Sequence, residues 1–281
     1  MNNPSAHLHD YIGAEVSLVG PQLESTEDEL RRLHVEFLGL PFCLLSEHEA
    51  VRLIIARCGA PYRYVVTPNA HHVVTVHEKA AQLLPLYRGA WLSLCDSRIL
   101  RALARLDRRA LPLITGSDLV GELLAALNIH GSAGVPRRLL VVGPPPSAAA
   151  ALRAAYPHLT FDILPAPAGL KHDAELRLSV ARSCFDRPWD ILLLCVGCPA
   201  QELIARQIAE LGRTSGVALC VGAAIDYLTA IRTRAPIWMR KLGLEWAYRL
   251  AQEPRRLWRR YLVESPKVFL IFMTWRSSRG H

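Results

Sequence analysis

The stretch Asp190-Ile-Leu-Leu-Leu-Cys-Val-Gly-Cys-Pro-Ala-Gln-Glu202 decides the fold. The residues that follow Asp190 form a continuous apolar run, which is typical of a β-strand buried on both faces. Gly197-Cys-Pro199 ends this strand, and the amphipathic residues that continue to Leu211 predict a helix. A buried strand followed directly by a helix indicates one unit of a parallel sheet that helices cover.

The same unit recurs along most of the chain. The predicted strands are Arg63–Thr67, Trp91–Cys95, Leu111–Thr115, Arg138–Gly143, Thr160–Leu164, Asp190–Val196 and Gly216–Val221. The predicted helices lie between them, at His72–Leu84, Ile99–Leu106, Ser117–Leu127, Ser147–Ala155, Asp173–Cys184 and Pro199–Leu211. This alternation predicts an α/β fold with a Rossmann-like parallel sheet and helices on both of its faces.

The sequence divides into three segments. Residues 1–60 have a moderate helical pattern, residues 61–231 hold the strand–helix alternation, and residues 232–281 predict short helices interrupted by Pro236, Gly243 and Pro254. The first residues lack the apolar stretch of a signal peptide, and no run reaches the ~18 apolar residues of a spanning helix. The seven cysteines are an odd number, which indicates reduced thiols in a cytosolic protein.

The positive charge is concentrated at the C-terminal end. The net charge is +8, and residues 232–281 alone hold twelve Lys/Arg against three Glu, so the rest of the chain is nearly neutral. Four of the six tryptophans lie in the same segment: Trp238, Trp246, Trp258 and Trp275. Basic clusters attract nucleic acid or an anionic lipid surface, and interleaved tryptophan favours lipid.

Within this segment, four arginines share one face of a predicted helix, and Leu257, Trp258, Tyr261 and Leu262 share the other. The pattern is typical of a helix lying in a membrane interface, and the apolar run Val268–Trp275 directly after it supports that interpretation. The alternative is the solvated basic face of an ordinary packed helix. The residues predicted to contact an anionic membrane surface are Arg255, Arg256, Trp258, Arg259 and Arg260.

The candidate catalytic residue is Asp96, which follows the predicted strand Trp91–Cys95 directly. Ligands of parallel sheets bind beyond the carboxyl ends of the strands, so a carboxylate there can accept a proton from a hydroxyl as general base. The alternative is that Asp96 caps the helix that begins near Ile99. Other polar residues that follow strands occur at Thr67-Pro-Asn69, Gly116-Ser-Asp118, Gly143–Ser147, Gly197–Glu202 and Gly222–Asp226.

Several nucleotide and metal motifs are absent from the sequence. Without GxGxxG or GxxxxGK[ST], a nucleotide-dependent oxidoreductase or methyltransferase is disfavoured. Without DxD, a sugar-nucleotide enzyme that holds Mn²⁺ or Mg²⁺ through paired aspartates is disfavoured too. The spacing of His71, His72 and His77 matches no standard ligand set, and Cys195-Val-Gly-Cys198 has no second pair, so we predict no metal site.

One long run in the C-terminal segment reads Arg234-Ala-Pro-Ile-Trp-Met-Arg-Lys-Leu-Gly-Leu-Glu-Trp-Ala-Tyr-Arg-Leu-Ala-Gln-Glu-Pro-Arg-Arg-Leu-Trp-Arg-Arg-Tyr261. This run closely resembles the C-terminal signature of the WecG/TagA/CpsF glycosyltransferases. Gly197-Cys-Pro-Ala-Gln-Glu202 is similar to the family's Gly-x-Pro-x-Gln-Glu. The resemblance covers about residues 60–265. Two stretches depart from it: Cys95-Asp96-Ser97 stands where the family usually has Pro-Asp-Gly, and Gly222-Ala-Ala-Ile-Asp226 where it has Gly-Gly-Ala-Phe-Asp.

The resemblance implies an inverting transfer of a hexose or N-acetylhexosamine from a UDP-sugar to a sugar on a polyprenyl diphosphate lipid. It implies a role in cell-surface polysaccharide or exopolysaccharide assembly, peripherally at the cytoplasmic face of the bacterial inner membrane. The two departures leave the donor sugar open, with N-acetylmannosaminyl and glucosyl transfer as alternatives. A nucleic-acid-binding α/β protein that uses the basic C-terminal segment is the alternative function.

The resemblance also implies roles for individual residues. Asp96 would be the general base that activates the acceptor hydroxyl. Thr67, Asn69, Gln201 and Asp226 would line the nucleotide-sugar site. Arg232, Arg234 and Arg240 would clamp the diphosphate leaving group, so that neither a metal nor another cofactor is expected.

Overall fold

The computed structural model describes residues 33–135 and 137–278. An antiparallel hairpin comes first, with strands β1 (His34–Phe37) and β2 (Leu40–Cys43). A six-stranded parallel sheet follows, in the order β4-β3-β8-β7-β5-β6. Its strands are β3 (Arg63–Val66), β4 (Leu92–Ser93), β5 (Arg138–Gly143), β6 (Thr160–Pro165), β7 (Ile191–Leu194) and β8 (Val217–Cys220). The predicted α/β architecture with a parallel sheet is therefore confirmed.

Helices cover both faces of the sheet. The helices before the C-terminal segment are α1 (Glu47–Ala56), α2 (Ala70–Glu78), α3 (Ala80–Arg88), α4 (Arg98–Leu106), α5 (Gly116–Ser132), α6 (Ala148–Ala155), α7 (Ala174–Phe185), α8 (Ala200–Glu210) and α9 (Ala224–Leu228). Residues 237–277 form α10 (Ile237–Lys241), α11 (Glu245–Gln252), α12 (Pro254–Trp258), a π-helix (Arg259–Glu264) and α13 (Lys267–Ser277). Helices α1, α5, α6 and α9 pack on one face, and α2, α3, α4, α7, α8 and α13 pack on the other.

The continuous apolar runs reflect burial of the strands from both sides. In β7, Ile191 and Leu193 belong to one buried cluster, and Leu192 and Leu194 belong to the other. Successive side chains of a strand point to opposite faces of the sheet, so a strand covered on both faces needs an apolar residue at every position.

The helical pattern predicted for residues 1–60 is wrong where the hairpin lies, between His34 and Cys43. Leu38 and Gly39 join the strands, and both have positive φ angles, of 52° and 76°. A two-residue loop with this geometry matches the twist of the strands it connects and fixes their register. The predicted helix that falls on residues 1–32 lies outside the described residues.

Two other predicted elements also differ from the structure. Leu111–Thr115 is not a strand, because Pro112 has no N–H to donate to a ladder, and the segment donates one backbone hydrogen bond, from Ile114 N to Cys95 O at 2.9 Å. The single helix predicted at His72–Leu84 is two helices, because Lys79 takes a non-helical conformation between α2 and α3.

The C-terminal segment is built into the core. Val268 and Phe272 of α13 are buried in the same cluster as residues of the sheet. The Phe37 ring lies 6.3 Å from that of Phe272 and 5.2 Å from that of Trp275, between ring centroids. Helix α13 therefore packs on the β1–β2 hairpin. Within the described residues, none of the helices combines the length and the hydropathy needed to cross a bilayer.

This packing predicts that Phe272→Ala lowers the free energy of unfolding by about 3–5 kcal/mol, the usual cost of emptying a buried aromatic site. The matched control is Met273→Ala, because Met273 is the next residue and is 61% exposed, so we expect a change within about 0.5 kcal/mol. Urea unfolding followed by circular dichroism measures both. Equal stability of the two variants would show that α13 does not contribute to the core.

Candidate active site

Three neighbouring strands of the sheet end side by side. Val66 of β3 and Leu194 of β7 both pair with Cys220 of β8. The Thr67 hydroxyl is buried and donates to the carbonyl oxygen of Cys220 at 2.8 Å. The loops that follow these strands therefore converge at one edge of the sheet.

Gln201 ties two of these loops together. Its side-chain Oε1 accepts a hydrogen bond from Gly222 N at 3.1 Å, and its Nε2 donates to Glu202 Oε1 at 2.9 Å. Gln201 is 1% exposed. It therefore holds the start of α8 against the loop after β8 and forms part of the wall of the cavity described next.

Two adjoining cavities open at this edge. The first, called the polar chamber, has a volume of about 180 Å³ and is lined by the ends of β3, β7 and β8 and by arginines of the C-terminal segment. The second, called the apolar chamber, has a volume of about 460 Å³ and is lined by side chains that include Ile99, Leu113, Trp246, Leu262 and Phe269. The two chambers share a wall made of Asn69, Asp96, Arg249, Arg260 and Tyr261.

Asp96 lies in this shared wall, and it is not a helix cap. The cap of α4 is Ser97, whose hydroxyl accepts from Leu100 N at 3.2 Å, so the capping alternative is wrong. Burial raises the pKa of Asp96 to about 7, although Arg249 and the backbone N–H of Gly116 both act to lower it. A carboxyl group with a pKa near neutrality is suited to accept a proton at physiological pH.

Asn69 also lies in the shared wall, at the start of α2. Its Oδ1 accepts from His71 N at 3.1 Å and from His72 N at 3.4 Å, so it is the N-cap of that helix. These hydrogen bonds hold its side chain at the end of β3, beside Asp96.

The three arginines predicted to clamp the leaving group do not lie together. Arg232 lines the polar chamber, where its Nε lies 3.0 Å from Asp226 Oδ2 and its Nη1 lies 2.6 Å from Glu253 Oε1. The Arg234 Nη1 instead donates to Asp118 Oδ1 at 2.6 Å. Within the part of the chain that the structure describes, neither Arg234 nor Arg240 lines either chamber.

Three other arginines complete the positive wall of the polar chamber: Arg249, Arg256 and Arg260. The sequence assigned Arg256 and Arg260 to a membrane surface and gave Arg249 no role. An ion pair with Glu245 at 2.6 Å holds Arg249, and its guanidinium lies 5.0 Å from the Tyr227 ring centroid. The four-residue spacing of Arg256 and Arg260 is a signal in the sequence that places these two on one helix face, whereas Arg249 lies on a separate helix, α11.

The rest of the predicted membrane set faces outward. Arg255, Trp258 and Arg259 are exposed and line neither chamber within the described residues. The basic helix face predicted from the sequence is thus divided: Arg260 and the exposed Arg256 line the polar chamber, whereas Arg255 and Arg259 line neither chamber.

Comparison with known proteins identifies the family of this chain. The chain matches the glycosyl transferase WecG/TagA/CpsF family over residues 35–281. It is 24% identical over 258 residues to the N-acetylglucosaminyldiphosphoundecaprenol N-acetyl-beta-D-mannosaminyltransferase of Staphylococcus aureus (strain MW2), which covers 88% of this chain and 94% of that relative. The family match includes both chambers and all of the arginines around them. The chain therefore belongs to the WecG/TagA/CpsF family of glycosyltransferases.

Proposed function

We propose that this glycosyltransferase moves a hexose or N-acetylhexosamine from a UDP-sugar, with inversion, to a sugar carried on a polyprenyl diphosphate lipid. The position of Asp96 between the two chambers is the observation that carries the proposal. A diphosphate donor suits the arginine-lined chamber, and an acceptor attached to a lipid suits the apolar one. The acceptor hydroxyl and the donor sugar would then meet at Asp96.

The arginines of the polar chamber support a diphosphate leaving group. Guanidinium groups form charge-assisted, often bidentate hydrogen bonds with phosphate oxygens, and they keep their charge at any physiological pH. Arg232, Arg249, Arg256 and Arg260 all line the chamber. They can meet the negative charge that develops on the departing UDP, so we propose that the transfer needs no metal cofactor.

The reaction follows from this placement. The Asp96 carboxylate accepts the proton of the acceptor hydroxyl while the oxygen attacks the anomeric carbon of the donor sugar. The bond from the anomeric carbon to the diphosphate breaks, and UDP leaves with the bonding electrons. A single displacement of this kind inverts the configuration at the anomeric carbon. This step requires two groups: a base whose pKa is near neutrality, and fixed positive charge beside the leaving diphosphate.

The acceptor class is proposed from the relative. Its name describes a transferase that acts on an N-acetylglucosaminyl group joined through a diphosphate to undecaprenol. We propose an acceptor of the same class here, in the synthesis of a bacterial cell-surface polysaccharide or exopolysaccharide. The residues around the polar chamber leave the donor sugar open between a hexose and an N-acetylhexosamine.

A lipid-linked acceptor places the protein at a membrane surface. The C-terminal segment exposes a group of large apolar side chains: Ile237, Trp238, Leu242, Trp258, Leu262, Phe269, Leu270 and Met273. Arg255 and Arg259 are exposed in the same segment. Exposed apolar and basic side chains together favour peripheral binding to anionic lipid, and we propose the cytoplasmic face of the inner membrane. The nucleic-acid alternative loses support because Arg256 and Arg260 line enzyme cavities.

Asp96→Asn removes the proposed base while it keeps the size of the side chain. We expect kcat to fall by about 10²–10⁴-fold, the usual contribution of a general base, with UDP-sugar binding retained. Transfer to a lipid-linked acceptor and donor binding by calorimetry measure the two effects. The control Asp162→Asn changes an exposed aspartate of β6 and leaves activity unchanged. Full activity of the Asp96 variant would refute the assignment.

The pH dependence of kcat/KM tests the same residue independently. Burial raises the pKa of Asp96 to about 7, so the carboxyl loses its ability to accept a proton as the pH falls through that value. We expect kcat/KM to decline on the acid side with a midpoint of about 7. The residual activity of Asp96→Asn lacks this decline. A profile that stays flat through neutral pH would contradict the role of Asp96 as base.

Arg260→Gln and Arg259→Gln form a matched pair of neighbouring substitutions. Arg260 lines both chambers and Arg259 lines neither. A charged hydrogen bond contributes about 1.5–3 kcal/mol, so we expect Arg260→Gln to lower kcat/KM by about 10–150-fold on a soluble acceptor analogue. Arg259→Gln leaves that value unchanged and weakens binding to anionic vesicles. The reverse result would place the membrane face on the other side of the π-helix.

A further inference from the structure

A buried cluster outside the proposed reaction lies beneath the polar chamber. It consists of His72 on α2, Glu202 in the first turn of α8 and Cys198 in the loop that precedes α8. One ligand atom from each residue lies within 4.8 Å of the other two. His72 and Cys198 also line the polar chamber, so the cluster forms part of its floor.

Two polar atoms of this cluster are unsatisfied. Among the described residues, neither His72 Nδ1 nor Glu202 Oε2 has a hydrogen-bond partner. His72 is 5% exposed and Glu202 is 0% exposed, so bulk water does not satisfy them. A buried polar atom without a partner is costly to the fold, and two beside a thiol indicate that a ligand completes the group.

We propose that His72, Cys198 and Glu202 bind one zinc ion. Imidazole nitrogen, thiolate sulfur and carboxylate oxygen are the three donor types that zinc accepts in proteins. Magnesium and calcium prefer oxygen ligands alone, so a site with a thiolate and an imidazole selects against them. The proposal does not depend on the transfer reaction, because none of the three side chains acts in it.

Zinc binding requires the three ligand atoms to move slightly closer together. Zinc lies about 2.0–2.3 Å from nitrogen and sulfur ligands, so the ligand atoms of a tetrahedral site are about 3.3–3.8 Å apart. Because the ligand atoms lie within 4.8 Å of one another, no separation is too long by more than about 1 Å, and rotation of the side chains can supply that change. Three protein ligands leave one coordination position for water from the chamber.

Neighbouring side chains hold the ligands in place. Gln201 Nε2 donates to Glu202 Oε1 at 2.9 Å, which leaves Oε2 as the oxygen free to bind. The hydroxyl of Tyr87 lies 3.6 Å from Cys198 Sγ. Partners of this kind orient metal ligands, and their loss commonly weakens metal binding about 10–100-fold.

Burial changes the charge states of all three ligands, and it raises the pKa of the Glu202 carboxyl to about 7. Burial, together with Arg260 and His71, holds the pKa of His72 well below its usual range, so its imidazole is neutral and its lone pair is free. Burial raises the pKa of the Cys198 thiol well above its usual range, so zinc must displace that proton when it binds. Binding therefore releases a proton and weakens as the pH falls.

Titration of the metal-free full-length protein with Co²⁺ tests the proposal. Cobalt replaces zinc in such sites and shows a thiolate charge-transfer band in the near ultraviolet, which histidine or carboxylate binding elsewhere in the chain does not produce. We expect one equivalent of Co²⁺ to give this band and one equivalent of Zn²⁺ to remove it. Excess Mg²⁺ has no effect.

Cysteine variants identify the thiolate that gives the band. Cys198→Ser removes it and weakens zinc binding by at least about 100-fold, since a direct ligand contributes more than an outer partner. Cys195→Ser is the matched control, because Cys195 lines the same chamber, is equally half-buried and lies outside the cluster. No band in the wild-type protein, or a band that survives Cys198→Ser, would overturn the proposal. Circular dichroism of each variant confirms folding, and His72→Gln, which also loses the band, supplies a second ligand deletion.

Discussion

Burial of both faces of β3, β7 and β8 is the constraint on which the rest of the structure depends. A strand covered on both faces has no room for an unpaired polar side chain, so polar chemistry begins only where the strand ends. The register that pairs Val66 and Leu194 with Cys220 brings these three ends to one level. Thr67, Gln201 and Asp226 then lie around one chamber because their strands stop together.

The C-terminal segment belongs partly to the core and partly to the site. Leu257, Val268 and Phe272 are buried, and between and before them Arg249, Arg256 and Arg260 line the polar chamber. Its positive charge is therefore held in place by hydrophobic packing. Removal of residues 232–281 would open the core and the chamber at once, so single substitutions separate the roles of this segment better than truncation does.

The sequence predicted those features that depend on local pattern. The apolar runs of β5–β8 located the strands to within two residues at each end, and the position of Asp96 directly after a predicted strand indicated its place at the sheet edge, although β4 itself ends at Ser93. The prediction of secondary structure failed where the backbone of one or two residues decided the outcome. Pro112 lacks the N–H that a strand needs, and Leu38 and Gly39 form a hairpin loop only because both adopt positive φ angles.

Contacts between segments that are far apart in the chain could not be predicted from the sequence pattern. The helical pattern placed four arginines on one face but could not show that only Arg256 and Arg260 turn toward a chamber. Neither the histidine spacing around His72 nor the Cys195–Cys198 pair matches a metal motif. The cluster of His72, Cys198 and Glu202 arises only when α2 and α8 pack against the same part of the sheet.

The position of Asp96 also links the two halves of the proposed reaction. Burial raises its pKa and the positive charge of Arg249 opposes that rise, so the value of about 7 is a balance of the two. A diphosphate bound to the arginines would offset part of this positive potential, because opposite charges in a poorly solvated cavity act over several ångströms. The carboxylate would then lose some of its stabilisation and become a stronger base. The arginine wall that holds the leaving group would thereby strengthen Asp96 as a base when the donor is in place.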